Sequence, residues 1–155
     1  MRERLIKFFA TGFGVGYVPA APGLAGSLVG VAFWWGLNQV HNPWLHGALW
    51  VLAVLFAVWC AGAASEIMRH PDPPSVVIDE IVAVPLVMVG LGSQWWTVAT
   101  GFLMFRVFDV WKPSPVREAE HFSGGLGIVL DDLLAAAYGC AATHGVVWLV
   151  NWIKR

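Results

Sequence analysis

Apolar residues fall into five runs separated by short polar breaks: roughly Leu24 to Val40, Trp44 to Ser65, Val76 to Leu91, Trp95 to Val110 and Ile128 to Trp152. A helix needs about 20 mostly apolar residues to cross a bilayer. The pattern therefore predicts an all-α, polytopic transmembrane bundle of about five spans, forming one domain over residues 1–155. The third and fourth runs are short, and Gly92, Ser93 and Gln94 make a tight turn between them, so a helical hairpin that barely crosses is compatible there. Pro85 predicts a kink in the third run, with neighbours satisfying the freed carbonyl. Gly26 and Gly30 are four apart and permit close helix contact. Small residues at 62–64 and 135–139 are placed to pack helices within or between chains.

Composition strengthens the bilayer reading. The chain is 58% hydrophobic and 12% charged, against about 45–50% and about 25% for soluble domains. Trp44, Trp95, Trp96, Trp111 and Trp152 stand near run ends, where indole rings favour the headgroup level. The net charge of −1 and the absence of a basic run exclude nucleic-acid binding. Cys60 and Cys140 lie inside apolar runs and read as packing. Arg2, Arg4 and Lys7 precede a stretch broken by Gly12, Gly14 and Gly16, which leaves no core for a cleaved signal.

Charge sets orientation. Lys and Arg occur in the N-terminal segment, beside Arg69, and around Arg106, Lys112 and Arg117, but not in the breaks at 41–43 and 92–94. By the positive-inside rule the first three regions are cytosolic. Five spans then put Lys154 and Arg155 outside, against that rule. The outer breaks carry no Asp or Glu, so any carboxylate chemistry belongs to the cytosolic face.

Asp79 and Glu80 open the third run, Asp109 closes the fourth, and Asp131 and Asp132 sit just inside the fifth after Gly124, Gly125 and Gly127. Singly, each reads as a helix-end charge. Ionisable groups that face a bundle are functional candidates, and five carboxylates from three segments at one face make an oxygen-rich site for a hard divalent ion such as Mg²⁺. Arg106 shares a helix face with Asp109, and Lys112 follows three later. Thr11, Gly26 and Ser27 belong to a glycine-rich stretch whose helix start would seat a phosphate. No Walker sequence is present. Nor is there a Cys–Arg phosphatase pair or an Asp-x-Asp motif, which leaves metal-assisted attack by water. His121 lies near the carboxylates and reads either as an acid or as a solvated loop residue.

Four blocks carry a family resemblance: Thr11-Gly12-Phe13-Gly14-Val15-Gly16 with Pro22-Gly23-Leu24-Ala25-Gly26-Ser27; Asp79-Glu80; Phe105-Arg106-Val107-Phe108-Asp109-Val110-Trp111-Lys112-Pro113; and Gly124-Gly125-Leu126-Gly127 through Asp131-Asp132-Leu133-Leu134. In them the chain resembles the phosphatidylglycerophosphatase A family of Mg²⁺-dependent bacterial lipid phosphatases. The resemblance implies hydrolysis of phosphatidylglycerophosphate to phosphatidylglycerol and phosphate, in phospholipid biosynthesis at the cytosolic face of the inner membrane. It implies Asp79, Glu80, Asp109, Asp131 and Asp132 as metal ligands. Arg106, Lys112, Thr11, Gly26 and Ser27 would hold phosphate, and Asp131, Asp132, Asp109 and Arg106 would serve catalysis; one carboxylate, with Asp131 a candidate, would orient the water, and an aspartyl-phosphate intermediate is the alternative route. Leu24 stands where the family tends to have Thr, and Ala83 where it often has Gly. Two alternatives are a lipid phosphoalcohol transferase, whose spaced Asp pattern is missing, and a non-enzymatic membrane protein or cation carrier. A carrier needs polar groups at midplane, and these spans have almost none.

Overall fold

The computed structural model describes all residues, 1–155, as helices and connections without a strand. The elements are α1 (Arg2–Ala10), a 3₁₀ turn (Val15–Tyr17), α2 (Pro22–Leu37), α3 (Pro43–Met68), α4 (Ile78–Val87), α5 (Trp95–Trp111), α6 (Val116–Ala119) and α7 (Gly125–Ile153). Local chemistry fixes several ends. The Asn42 side chain accepts from the N–H groups of Trp44 and Leu45 at 3.0 and 3.1 Å, and Pro43 occupies the first turn of α3, a well-matched start signal. Pro113 bars continuation of α5.

Two helices are long and apolar enough to cross a bilayer: α3, with 26 residues and mean hydropathy 2.1, and α7, with 29 and 1.6. Only 22% of each apolar stretch is buried, so their outer faces, with Trp44, Leu52, Leu55, Trp59, Trp148 and Trp152 exposed, need an apolar surrounding. Soluble monomers rarely expose such continuous patches. The molecule is a membrane-associated helical bundle.

The third apolar run is not a spanning helix. α4 has 10 residues, about 15 Å at 1.5 Å per residue, against a hydrocarbon core of about 30 Å. Its start is delayed because the Val77 N–H is given to the Ala10 carbonyl at 2.9 Å. It ends two residues after Pro85. Eight of its ten residues are buried, enclosed by α2, α3 and α7. Its apolar character therefore reports burial in protein, which periodicity alone does not separate from burial in lipid. The Trp50 indole donates to the Val82 carbonyl at 2.9 Å, three residues ahead of Pro85, where a proline loosens the helix ladder. The fourth run corresponds to α5 and the first to α2, of 17 and 16 residues.

Glycines set the helix separations, all within one chain. A Cβ on Gly26 would reach 2.7 Å from Val77 Cβ, and one on Gly30 2.8 Å from Val84 Cγ2. α2 therefore lies directly on α4, as the four-residue spacing suggested. A Cβ on Gly125 would meet the Val58 carbonyl oxygen at 1.8 Å, which locks the start of α7 against α3. α1 and α6 are absent from the sequence reading. α1 is amphipathic, buries Ile6 and Ala10, and presents the Ile6 carbonyl to the Cys60 thiol at 3.5 Å. Cys60 and Cys140 are free.

Candidate functional site

Four helix ends meet at one end of the bundle. α4 brings Asp79 and Glu80 on its first turn, α5 brings Arg106 and Asp109 near its last, α7 brings Asp131 and Asp132 on its second, and α2 brings Gly23, Gly26 and Ser27. Asp79, Glu80 and Asp132 each place one carboxylate oxygen within 4.8 Å of the others. Asp79 and Asp132 are buried. Glu80 Oε2, Asp131 Oδ1 and Asp132 Oδ2 are buried without a hydrogen-bond partner. Buried, unpaired carboxylate oxygens are costly. Two of them, on Glu80 and Asp132, belong to the trio whose oxygens lie close enough to share a cation.

Arg106 is the cation nearest this cluster. Its Nη1 lies 2.9 Å from Asp109 Oδ2 and 3.8 Å from Glu80 Oε1, and donates to Ser27 Oγ at 3.3 Å. Ser27 in turn donates to the Gly23 carbonyl at 2.8 Å. The approach depends on glycine. A Cβ on Gly23 would sit 2.3 Å from Glu80 Oε1 and 3.2 Å from Arg106 Nη2. One on Gly26 would sit 3.2 Å from Glu80 Oε2.

The five carboxylates do not form one set. Successive helix residues differ by about 100° around the axis. Asp132 thus turns to Asp79 and Glu80, whereas Asp131 Oδ2 pairs with Lys112 Nζ at 2.7 Å. Lys112 also pairs with Glu120, a partner sequence reasoning missed because no pattern marks that exposed residue. Lys112 does not continue the Arg106–Asp109 face. It caps α5 in the left-handed region, φ 46°, which swings its side chain toward α7. Burial works to lower its pKa, but hydrogen bonds and charge from Asp131 and Glu120 outweigh it and hold the ammonium above the usual lysine range.

Thr11 is fully buried, and its hydroxyl is used within its own loop, donating to the Phe8 carbonyl at 3.4 Å and accepting from the Gly14 N–H at 3.2 Å. The structure does not bring it to the carboxylates. Leu24 is 43% exposed. His121 is exposed, with Nδ1 3.2 Å from the Glu118 carbonyl.

An apolar helical bundle with a largely buried carboxylate cluster and an arginine at one end defines a class: a membrane-associated helical protein whose polar groups are gathered at one end. Comparison with known proteins narrows it. The family model for phosphatidylglycerophosphatase A matches residues 8–147. A protein of Escherichia coli named phosphatidylglycerophosphatase A is 35% identical over 81% of this chain and 74% of its own length. One of Haemophilus influenzae with the same name is 32% identical over 94% and 91%. A protein of Bacteroides thetaiotaomicron, provisionally named a phosphatidylinositol-3-phosphatase, is 37% identical over 91% and 92%. The chain belongs to the phosphatidylglycerophosphatase A family. No solved structure matches it.

Proposed function

We propose that this protein removes the terminal phosphate of phosphatidylglycerophosphate, giving phosphatidylglycerol and inorganic phosphate, with Mg²⁺ as cofactor. The observation that carries the reading is the triad of buried Asp79, half-buried Glu80 and buried Asp132, with unpartnered oxygens on Glu80 and Asp132, beside Arg106. Asp79, Glu80 and Asp132 are the residues that would hold the cation. Such an ion supplies Lewis acidity, charge neutralisation and a more acidic water.

The chain's own groups do the rest. Arg106 is steadied by Asp109 and Ser27, and its planar fork suits two phosphate oxygens. Gly23 and Gly26 let α2 lie close beside Glu80. Asp109 holds Arg106 within reach of both the cluster and an incoming phosphate. Lys112 is engaged with Asp131 and Glu120, so its part is to fix Asp131 rather than to grip phosphate. The acyl chains stay in the bilayer. α2, α3, α5 and α7 cross it, and α4 with the turn to Gln94 completes the return as a protein-enclosed half-helix. The site faces the cytosol, and the protein sits in the bacterial inner membrane.

The test is release of inorganic phosphate from phosphatidylglycerophosphate in detergent, with Mg²⁺ and then with chelator. Mg²⁺-dependent release is the expected result. Folded protein that releases none with any divalent ion would overturn the reading. Gly23→Ala is expected to keep the helical fold and reduce kcat by about a hundredfold, the scale of an ångström-sized misplacement of catalytic groups. Unchanged kcat with unchanged far-UV circular dichroism would show that Glu80 and Arg106 need no such clearance.

A further inference from the structure

Two apolar grooves join end to end along α1 and α3. The first, of about 430 Å³, is lined by Leu5 and Phe9 of α1 and by Phe56 and Trp59 of α3, and Arg2 is its one lining residue that is not hydrophobic. The second, of about 420 Å³, shares Phe9 and Phe56 with the first. It runs on to Ala53 of α3 and Ala32 of α2, with Ile78, Ile81 and Val82 of α4 also in its lining. Asp79, Glu80, Asp132 and Arg106 line neither groove.

The packing of α1 gives the joined groove a direction. Arg2 shares a neighbouring hollow with Glu66 and Ile67, which sets it level with the last turn of α3. Phe9 meets Phe56 edge-on, with ring centroids 5.6 Å apart, nearly three turns back along α3. α1 is therefore antiparallel to α3, and on the proposed topology its Arg2 end is cytosolic. From Arg2 to Phe9 the path covers about 10 Å, and from Phe56 to Ala53 about 5 Å more, at 1.5 Å per residue. The total is about half of a hydrocarbon core of about 30 Å, the depth of one leaflet.

Lining, length and charge fit the same occupant. Leu5, Phe9, Phe56 and Trp59 are exposed and continue the outer face of α3, which already needs an apolar surrounding. An acyl chain matches an apolar channel one leaflet deep. α1 carries three basic side chains, Arg2, Arg4 and Lys7, against its own Glu3 and Glu66 of α3. A guanidinium at the cytosolic end of the groove pairs with a phosphate, and the surplus of basic groups favours a lipid of net negative charge.

We propose that this groove binds an anionic phospholipid of the cytosolic leaflet, which lays one acyl chain along α1 as far as α4 and sets its phosphate at Arg2. This lipid is a resident of the protein and not its substrate. Ile78, Ile81 and Val82 interleave with Asp79 and Glu80 on α4, so a seated chain packs against the helix that carries those carboxylates. The site stands whether or not the protein is a hydrolase.

The test is photochemical labelling of the full-length protein in phosphatidylcholine nanodiscs. Trace phosphatidylglycerol, phosphatidylserine or phosphatidylcholine is added with a diazirine at the end of one acyl chain, and crosslinked peptides are identified by mass spectrometry. Both anionic probes are expected to label the segments around Ala32 and Ala53 about tenfold more than the phosphatidylcholine probe, the scale of 1.4 kcal/mol. Equal labelling by all three, or labelling spread evenly over the outer faces of α3 and α7, would overturn the proposal. Labelling there by phosphatidylglycerol alone would also overturn it, by making the groove a site for the reaction product. Arg2→Gln changes an exposed side chain and is expected to cut the anionic preference about fivefold, the factor equivalent to about 1 kcal/mol for one basic group at an anionic surface. An unchanged preference would remove Arg2 and the phosphate seat with it. Ala32→Trp fills the groove from an exposed position and is expected to abolish labelling around Ala53, so labelling that persists in folded Ala32→Trp protein counts against the groove as the seat. No readout passes through turnover, and a protein that releases no phosphate leaves these outcomes as they are.

Discussion

Asp132→Asn is expected to reduce kcat by about 10²–10³-fold, the range for losing one preorganised electrostatic group in a water-excluded site. Asparagine keeps the size and one carbonyl oxygen but removes the charge. Asp132 is 4% exposed and is the α7 member of the triad with Asp79 and Glu80. With Asp132 neutral, the carboxylates of α4 alone would face the cation. The measurement is kcat across a Mg²⁺ titration. Full turnover at saturating Mg²⁺ would remove Asp132 from the cation site. A second readout separates function from fold. Without divalent ions the clustered carboxylates repel one another, so Asp132→Asn should raise the melting temperature of chelator-treated protein while activity falls. Functional sites commonly show this opposition of stability and activity.

Gly125→Ala is expected to destabilise the bundle by about 3 kcal/mol, the upper end for overpacking a tight contact. The obstacle is backbone. The new Cβ would meet the Val58 carbonyl oxygen at 1.8 Å and the Gly62 nitrogen at 2.6 Å. No rotamer relieves a clash with a carbonyl, so α7 must move away from α3. α7 carries Asp131 and Asp132, and activity should fall together with stability. Loss of helical signal on heating the detergent-solubilised protein reports the change. A melting temperature equal to wild type would show that the contact relaxes without penalty.

Much of this was legible in the sequence, and the failures have physical causes. The runs that became α2, α3, α5 and α7 were readable because continuous apolar stretches report removal from water. They do not say whether protein or lipid replaces the water, so α4, enclosed by its neighbours, read as another span. α1 escaped because nine residues with three basic side chains form neither a run nor a signal peptide. The carboxylates were found as a group because intramembrane acids are costly and hence conspicuous. Their division was missed because adjacency along the chain was taken as adjacency in space, whereas Asp131 and Asp132 diverge around α7. Lys112 was misplaced because a lysine seldom adopts a left-handed cap, and Thr11 because its loop, closed by the Gly14 N–H, was not foreseeable from glycine spacing.

The bundle is uneven in height. α3 and α7, at 26 and 29 residues, reach about 39 and 43 Å, while α2 and α5, at 16 and 17, reach about 24 and 26 Å. On the proposed topology, in which α2 and α5 also cross, a hydrocarbon core of about 30 Å is too thick for the short pair, and lipids beside it would compress at fractions of a kcal/mol per ångström. Compression on that flank would draw headgroups inward toward the end of α5, where Arg106 stands. Hydrophobic mismatch would thus make the bilayer itself part of substrate delivery, bringing a phosphate down to a cluster that the helices hold below the ordinary membrane surface.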